Sequence, residues 1–353
     1  MRRFYIPVLT ALGFVMAPGA QHLRGQMYNI TELVPEDVES RALAINNSGQ
    51  VAGVAAQQAF LWDPTTGIQR LPTLTGFNGG SARGINSAGH VVGCSLLCQG
   101  QDCMEGRAFL YRDGSLTELK AGGVYSCATS LNDVDQATGY SSTSGFFWSR
   151  GTLTNIQGRD FSDIQPRAIN EMGEVAGVRW ETVPSPACYV SPYPPCTFVT
   201  TGYPFRWANG SLVGLNAPLN ATASSINNSG AIAGDFNRDG RSQAFLTNSL
   251  GTFIELGTLD GRNSSTASGI NNSGDVVGSC YSCEGGLCSN WTAFLYRHGV
   301  MADLNDRVSQ NDWRLVSATA INDKGQILAI GRKDGQPLSK ALLLTPAEIL
   351  PVP

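Results

Sequence analysis

Short apolar segments alternate with Gly- and Asn-rich turns along almost the whole chain. The apolar runs last four or five positions, and no stripe of apolar residues at helical spacing exceeds one turn. Asn and Gly recur every few residues, where they interrupt helices and supply the backbone conformations of tight turns. The pattern therefore predicts an all-β chain made of many short strands.

One sequence unit occurs seven times. Each copy opens with Ile-Asn-x-x-Gly-x-Val-x-Gly or a variant of it, and then carries a short apolar run such as residues 59–62. Six copies finish with a turn and an apolar pair, as in residues 114–119. The openings begin at Ile45, Ile85, Leu131, Ile169, Ile226, Ile270 and Ile321. Spacings of about 40–50 residues are typical of propeller blades or of helical solenoids, and the missing helical periodicity favours the propeller.

Each unit has the pattern of four short strands. Strand one ends at Ile-Asn, and strand two is the Val-x-Gly segment after a tight turn. Strand three is apolar on both faces, as expected of a blade packed between two neighbours. Strand four contains Leu-x-x-Leu, whose spacing of three predicts a bulge or a strand end. We predict a seven-bladed β-propeller with four-stranded blades, with an open β-solenoid as the alternative. The strand-three aromatics expected between blades are Phe60, Phe109, Phe205, Phe245 and Phe294.

The N-terminal strand is expected to close the ring. The last copy lacks a fourth strand, because Thr345 and Pro346 follow its third. Residues 28–33 contain Ile-Thr-Glu-Leu, which is nearly the Leu-Thr-Glu-Leu of residues 116–119. A solenoid would need a cap at each end and would have no use for this permutation. We therefore expect residues 28–33 to pair with residues 341–344, in a single domain spanning 21–346, with a short tail at 347–353.

The first twenty residues have the pattern of a secretory signal peptide. Arg2 and Arg3 precede an apolar run at 4–16, and small residues follow at 17–20. The run is shorter than the ~20 residues of a membrane-spanning helix. Removal of the two arginines would take the formal net charge from −4 to −6. We expect a secreted or periplasmic monomer with no membrane span, and the acidic charge argues against a nucleic-acid partner.

The repeat resembles the HAF-repeat family of extracellular repeat proteins, which is named after a His-Ala-Phe tripeptide. The resemblance covers essentially the whole mature chain, and the Ile-Asn-x-x-Gly half matches well. The His that precedes Ala-Phe is replaced here by Gln58, Arg107, Gln243 and Thr292. The resemblance implies an exported repeat protein, and it brings no established activity or catalytic residues.

The long insertions are expected on one face of the disc. They lie between strands two and three, at residues 95–107, 179–203 and 279–292. We call this side, which also carries the connections between blades, the loop face, and the side of the tight turns the turn face. Insertions confined to one face often mark a binding surface, although they can also be unspecialised. The candidate ligand-binding aromatics, which could instead pack on their own segments, are Trp180, Tyr189, Tyr193 and Trp291.

The cysteines predict disulfides, as expected in an oxidising compartment. Two Cys-x₄-Cys pairs have the same offset before strand three, and a third pair brackets a Pro-rich insertion: Cys98–Cys103, Cys283–Cys288 and Cys188–Cys196. Cys94 and Cys127 could join adjacent blades, which would leave Cys280 over. The alternative is a zinc site of Cys280, Cys283 and Cys288, but no fourth ligand stands nearby.

Residues 235–240 read Asp-Phe-Asn-Arg-Asp-Gly, which is the beginning of a calcium-binding loop. Asp235, Asn237 and Asp239 would be the ligands. The twelfth position is Leu246 and not Glu, so an Asx-rich hairpin without metal is the alternative. No other cofactor is expected.

No catalytic motif is present, since the sequence contains no Gly-x-Ser-x-Gly elbow, His-Glu-x-x-His helix or phosphate-binding loop. The first hypothesis is an exported, non-catalytic binding or surface-interaction module whose glycan or protein ligand contacts the loop face. The second is a secreted hydrolase or lyase acting on polysaccharide, with Asp235, Asp239 and Glu181 converging on that face. The third is a purely structural repeat protein. Carboxylates ~5–10 Å apart in a concave mouth would favour the enzyme.

Overall fold

The chain folds into a ring of seven antiparallel four-stranded sheets, and this confirms the predicted seven-bladed β-propeller. The computed structural model describes residues 26–100, 102–157, 163–184, 198–248, 251–309 and 312–348. Among these residues the only helix is a 3-10 turn at Leu304–Arg307. The blades are numbered in the order of their innermost strands.

The strands of the first four blades have the following bounds. Blade 1 contains β2 (Ser40–Ile45), β3 (Val51–Ala55), β4 (Gln58–Asp63) and β5 (Gly67–Arg70). Blade 2 contains β6 (Gly79–Ile85), β7 (Val91–Gln99), β8 (Asp102–Arg112) and β9 (Ser115–Glu118). Blade 3 contains β10 (Ser126–Leu131), β11 (Ala137–Ser141), β12 (Gly145–Ser149) and β13 (Thr152–Ile156). Blade 4 contains β14 (Asp163–Ile169), β15 (Val175–Pro184), β16 (Phe198–Ala208) and β17 (Ser211–Gly214).

The remaining three blades complete the ring. Blade 5 contains β18 (Ala221–Ile226), β19 (Ile232–Arg238), β20 (Arg241–Thr247) and β21 (Phe253–Gly257). Blade 6 contains β22 (Ser264–Ile270), β23 (Val276–Glu284), β24 (Leu287–Arg297) and β25 (Val300–Asp303). Blade 7 contains β26 (Trp313–Ile321), β27 (Ile327–Lys333), β28 (Lys340–Pro346) and β1 (Tyr28–Glu32).

The N-terminal strand closes the ring, as predicted. β1 pairs antiparallel with β28, and Thr31 lies opposite Leu343 in the register. Tyr28 and Leu33 are each only 1% exposed, and the Leu33 N–H donates to the carbonyl oxygen of Ala341 at 3.0 Å. The closing strand thus contributes both hydrogen bonds and buried apolar surface to blade 7.

The core is divided into seven clusters, one at each interface between neighbouring blades. The prediction of inter-blade phenylalanines is confirmed, because their exposed fractions are 0–1%: Phe60, Phe109, Phe205, Phe245 and Phe294. Phe146 occupies the same position in blade 3, and Leu342 occupies it in blade 7. Each blade therefore places one large side chain of strand three into its neighbour.

The glycine of Val-x-Gly is required by a close approach of the inner strand. A Cβ atom on Gly234 would overlap the carbonyl oxygen of Thr222 and would lie 2.9 Å from the ring of Phe245. The equivalent glycines in five other blades meet the same strand-one carbonyl: Gly53, Gly93, Gly139, Gly177 and Gly278. The repeat motif therefore keeps a glycine where strand one and the phenylalanine ring meet.

All seven inner strands carry a β-bulge at the same place. In β2 the pairing with β3 shifts between Ala42 and Ala44, so Leu43 is the extra residue. The equivalent extra residues are Arg83, Thr129, Arg167, Ser224, Ser268 and Thr319. A bulge bends a strand and re-aims the side chain of its extra residue. We call these seven positions the bulge ring.

Two of the expected loop insertions are extended hairpins over most of their length. β7 and β8 pair as far as Gln99 and Asp102, and β23 and β24 pair as far as Glu284 and Leu287. The extra residues continue the ladder of blades 2 and 6 because their backbone groups gain hydrogen-bond partners that way. β15 and β16 are lengthened similarly in blade 4, up to Pro184 and Phe198. The expected end of strand four is also seen, since β9 stops at Glu118, before Leu119.

A candidate ligand-binding channel

A ring of seven buried asparagines surrounds the channel on the turn face. Each is the Asn of the Ile-Asn motif, and each Nδ2 donates to the backbone oxygen of the next blade's Asn at 2.9–3.2 Å. The ring consists of Asn46, Asn86, Asn132, Asn170, Asn227, Asn271 and Asn322. Because the last member donates to the first, the hydrogen bonds form a complete circle.

Each of these asparagines also organises its own tight turn. The Oδ1 of Asn227, for example, accepts the N–H groups of Ser229 and Ala231 at 3.1 and 3.0 Å. The amide side chain accepts these bonds at its oxygen and donates to the neighbouring blade from its nitrogen at the same time. The sequence motif is therefore explained by the structure of the ring, and it needs no catalytic role.

Carboxylates surround the channel mouth outside the asparagine ring. The channel mouth on the turn face is a depression of about 260 Å³. It is lined by the motif residues of all seven blades, among them Asp133, Glu171 and Asp323. Burial, followed by the charge of Asp133, raises the pKa of Glu171. Burial would raise the pKa of Asp323 as well, but hydrogen bonds from Asn272 and Asn47 outweigh it and lower that pKa. The turn face is thus acidic and tightly hydrogen-bonded.

The other side of the channel contains a cavity of about 330 Å³ with a different chemistry. Four of its lining residues belong to the bulge ring, from blades 1 to 4: Leu43, Arg83, Thr129 and Arg167. Tyr140, Gln165 and Pro166 complete the lining. The bulges bring side chains of four successive blades into one space.

Two arginines of this cavity have no ion-pair partner in the part of the chain that the structure describes. Neither Arg83 nor Arg167 has a carboxylate oxygen within 4.0 Å. The Nε of Arg83 is also buried and has no acceptor among the described residues. An unsatisfied buried donor costs about 1–3 kcal/mol and therefore requires an explanation.

Neighbouring titratable groups respond to these arginines. Burial, followed by the proximity of Tyr140, raises the pKa of Tyr125, while Arg83 acts in the opposite direction. The rings of Tyr125 and Tyr140 stack with centroids 6.2 Å apart. Burial raises the pKa of Asp235, against a hydrogen bond from Thr222 and the charge of Arg167. The cavity therefore contains two guanidinium groups, and the half-buried Asp235 carboxyl, which lies outside the lining, is influenced by the charge of Arg167.

The structure contains a disulfide between blades beside this cavity. Cys94 on β7 is bonded to Cys127 on β10, and the Tyr125 hydroxyl lies 4.0 Å from the Cys94 sulfur. This bond covalently joins blades 2 and 3, which carry Arg83 and Tyr140. It matches the cross-blade pairing considered from the sequence.

Two further disulfides clasp extended hairpins. Cys98 is bonded to Cys103 in blade 2, and Cys283 is bonded to Cys288 in blade 6. The pair Cys188 and Cys196 lies outside the described residues. Cys280 is a buried free thiol, and burial raises its pKa to about 11. The zinc alternative is therefore wrong, because two of its proposed ligands are bonded to each other.

The four candidate aromatic residues do not form one surface among the described residues. Trp180 is half-buried on β15, where it packs over Gly202 of β16. Trp291 is 39% exposed on β24, and its ring stacks on Tyr281 with centroids 4.0 Å apart. Blade 5 separates these two hairpins. Tyr189 and Tyr193 lie outside the described residues.

The candidate calcium segment forms a two-residue hairpin. Arg238 pairs with Arg241, and the turn residues Asp239 and Gly240 have φ of 53° and 78°, which fits a type I′ turn. Asn237 Oδ1 accepts the Gly240 N–H at 3.0 Å, and Asp235 accepts the Thr222 hydroxyl at 2.9 Å. Within the described ranges no three His, Cys, Asp or Glu side chains are grouped to hold a metal ion.

The carboxylates of the enzyme hypothesis have separate surroundings. Glu181 forms an ion pair with Arg179 at 2.7 Å, and Asp239 lies at the exposed tip of the β19–β20 hairpin. Asp235 points to Thr222 and is the member of the trio that Arg167 influences.

Sequence reasoning missed Arg83 and Arg167, although both stand two residues before Ile-Asn, where other repeats have Leu, Ser or Thr.

Comparisons with known proteins identify the class of fold. No family model and no curated protein matches the chain. Virginiamycin B lyase from Staphylococcus aureus superposes with a TM-score of 0.55 at 11% identity, over 91% of this chain and 99% of that one. A streptogramin B lyase structure gives a TM-score of 0.53 at 11% identity, over 91% and 98% of the two chains.

A third similar structure is a β-propeller domain. The Trilobed protease from Pyrococcus furiosus contains a propeller with an open velcro topology, which matches with a TM-score of 0.52 at 9% identity, over 87% of this chain and 93% of that one. At these identities the likeness concerns the fold alone. Across the described residues, no helix has the length and apolarity needed to cross a membrane.

Proposed function

We propose that this protein is an exported, non-catalytic binding propeller whose ligand enters the channel from the loop face. The supporting observation is the cavity lined by the bulge-ring residues Arg83 and Arg167, for which the described residues offer no carboxylate partner within ion-pair distance. Export is supported by the resemblance to HAF-repeat proteins and by three disulfides, which persist in oxidising compartments.

A purely structural ring accounts less well for this cavity. Buried polar groups are normally hydrogen-bonded, and the asparagine ring of the same protein satisfies this rule. The Arg83 Nε is one of the described buried polar atoms that depart from it, and the Arg83 side chain lines the cavity. Unpaired donors around a cavity are what a bound ligand would satisfy.

A second candidate function, a hydrolase or lyase acting on polysaccharide, is favoured by one residue. Burial raises the pKa of Asp235, and a carboxyl group of raised pKa can act as a general acid or base. Arg167 is the cationic group that acts on it. Of the other two carboxylates of this hypothesis, Glu181 is paired with Arg179 and Asp239 lies at an exposed hairpin tip.

A binding screen tests the proposed function. The mature protein, residues 21–353, is applied to arrays of glycans and peptides. We expect retention of a ligand by the wild type and by Glu171→Gln, which alters only the turn face, but reduced retention by Arg167→Gln. Equal retention by both variants would place the ligand elsewhere and contradict the proposal.

A turnover assay separates the two candidate functions. The retained ligand is incubated with the protein, and new reducing or unsaturated chain ends are measured. We expect no release of product. Product release that Asp235→Asn abolishes, with binding preserved, would establish the enzyme instead.

A further inference from the structure

The bulge ring carries positive charge in only two of its seven positions. Five blades place an uncharged residue there: Leu43, Thr129, Ser224, Ser268 and Thr319. Blades 2 and 4 place Arg83 and Arg167, which flank blade 3 along the channel. The Thr129 hydroxyl between them lies 3.2 Å from the carbonyl oxygen of Thr138 and 3.1 Å from that of Pro166, and it donates to one of them at a time.

The charge around the cavity is not balanced by its own lining. Arg83 and Arg167 face Tyr140 and Gln165, which are uncharged, and Tyr125 lies behind Tyr140. The half-buried Asp235 is influenced by the charge of Arg167, but its carboxylate accepts the Thr222 hydroxyl and lies beyond ion-pair distance of that arginine. The chain as a whole has a formal net charge of −4. A local excess of positive charge in an acidic protein attracts anions selectively.

The donor set of the cavity suits an oxyanion. A guanidinium group presents its N–H donors in a planar fork that matches carboxylate or sulfate oxygens. The Tyr140 hydroxyl and the Gln165 amide are further polar groups in the lining, and Leu43 supplies an apolar surface. A volume of about 330 Å³ is at the lower end of the range for small-molecule pockets.

Resting on the proposed function, we propose that the cavity between Arg83 and Arg167 binds an acidic sugar residue of an anionic glycan. The carboxylate or sulfate group of that sugar occupies the cavity. The Arg83 and Arg167 guanidinium groups donate to the oxyanion oxygens. The bonded blades 2 and 3 hold Arg83 and Tyr140 in place, because the Cys94–Cys127 disulfide joins their strands. The uncharged part of the sugar extends toward the loop face.

Calorimetric titration of the mature protein tests this proposal with defined probes. The acidic probes are galacturonic acid, an oligogalacturonate and a sulfated heparin disaccharide; the neutral probe is a cello-oligosaccharide of matched length. Inorganic sulfate is a competitor that tests whether a free anion is sufficient. We expect binding of acidic probes only, weakened by a rise in ionic strength.

Charge-matched variants assign the binding to this cavity. Loss of a hydrogen bond to a charged group corresponds to a roughly 10- to 100-fold rise in Kd, which we expect for Arg167→Gln and Arg83→Gln. Arg241→Gln removes the same charge from an exposed position at the blade 5 hairpin and should leave Kd unchanged. Arg83→Lys retains the charge but loses the planar fork, so it should weaken binding partially. Arg167 is exposed, so its variant should fold even if Arg83→Gln does not.

The possible results distinguish this inference from the proposed function. Equal affinity for acidic and neutral probes, or wild-type affinity in Arg167→Gln, would overturn the oxyanion site. Retention of a neutral glycan on the array without binding of any acidic probe would overturn the inference and leave the binding function standing. Absence of every ligand in both experiments would overturn both.

Discussion

A single methyl group added at Gly234 would clash with two parts of its own blade. The added Cβ would overlap the carbonyl oxygen of Thr222 on the bulged inner strand, and it would lie 2.9 Å from the Phe245 ring. Neither can move freely, because one is backbone and the other is fully buried. We expect Gly234→Ala to lower the free energy of unfolding by roughly 1–3 kcal/mol or more, measured by chemical denaturation.

Gly214 supplies the matched control for that substitution. It also has an ordinary backbone conformation, but a Cβ there would meet no atom within 4 Å. Gly214→Ala should change stability by less than about 0.5 kcal/mol. Similar losses in both variants would show that the close approach of β18 and β19 is not the cause.

The phenylalanines between blades are the second set of single residues on which the stability of the fold depends. Phe109 is 0% exposed, and it packs in a cluster with Ala52 and Leu71 of blade 1. Phe109→Ala should cost about 3–5 kcal/mol, because it leaves a cavity between two rigid sheets. Urea denaturation measures the loss, with exposed Val213→Ala as a control. A loss below about 1 kcal/mol would contradict the role of Phe109 between blades.

At the scale of elements, β1 is the segment whose removal should have the largest consequence. Tyr28 and Leu33 are buried, and each contributes ~1.5–3 kcal/mol. Deletion of residues 28–33 also uncovers β28, which becomes an apolar strand edge available to another chain. We expect the truncated protein to dimerise or aggregate in size-exclusion chromatography, in addition to melting earlier.

Removal of residues 349–353 is the control for this truncation. It leaves the pairing of β1 with β28 intact, so the protein should remain a monomer with an unchanged melting temperature. A monomeric, stable product after deletion of residues 28–33 would mean that ring closure does not protect the edge.

At the scale of the whole molecule, the disulfides should differ in their effect on stability. Cys94–Cys127 spans 33 residues and joins two blades, whereas Cys98–Cys103 spans 5 within one hairpin. Loop-closure entropy assigns about 3.5 kcal/mol to the first and about 2 kcal/mol to the second. The double variant Cys94→Ala/Cys127→Ala should therefore melt earlier than Cys98→Ala/Cys103→Ala in calorimetry. The reverse order would indicate that the cross-blade bond contributes little to stability.

The repeat pattern was sufficient for much of the fold. Because every strand except the closing strand β1 pairs with a neighbour close in sequence, the alternation of apolar runs and turns predicted the strands and the number of blades. The Ile-Thr-Glu-Leu copy at residues 30–33 predicted which segment closes the ring, and in the structure Thr31 lies opposite Leu343. The bulge ring was missed because strand one was assigned only by its end at Ile-Asn, and the extra residue of each inner strand varies among Leu, Arg, Thr and Ser.

The sequence by itself determined the architecture of this protein, because repeated motifs act through local turns and through contacts between adjacent units. Only the tertiary structure decided where the candidate site lies. Leu43, Arg83 and Arg167 are up to 124 positions apart in the chain, and they share one cavity because ring closure aligns the bulges of successive blades. That the two arginines find no carboxylate partner among the described residues is likewise a property of the folded ring, since charge pairing depends on distances in space and not on spacing in the sequence.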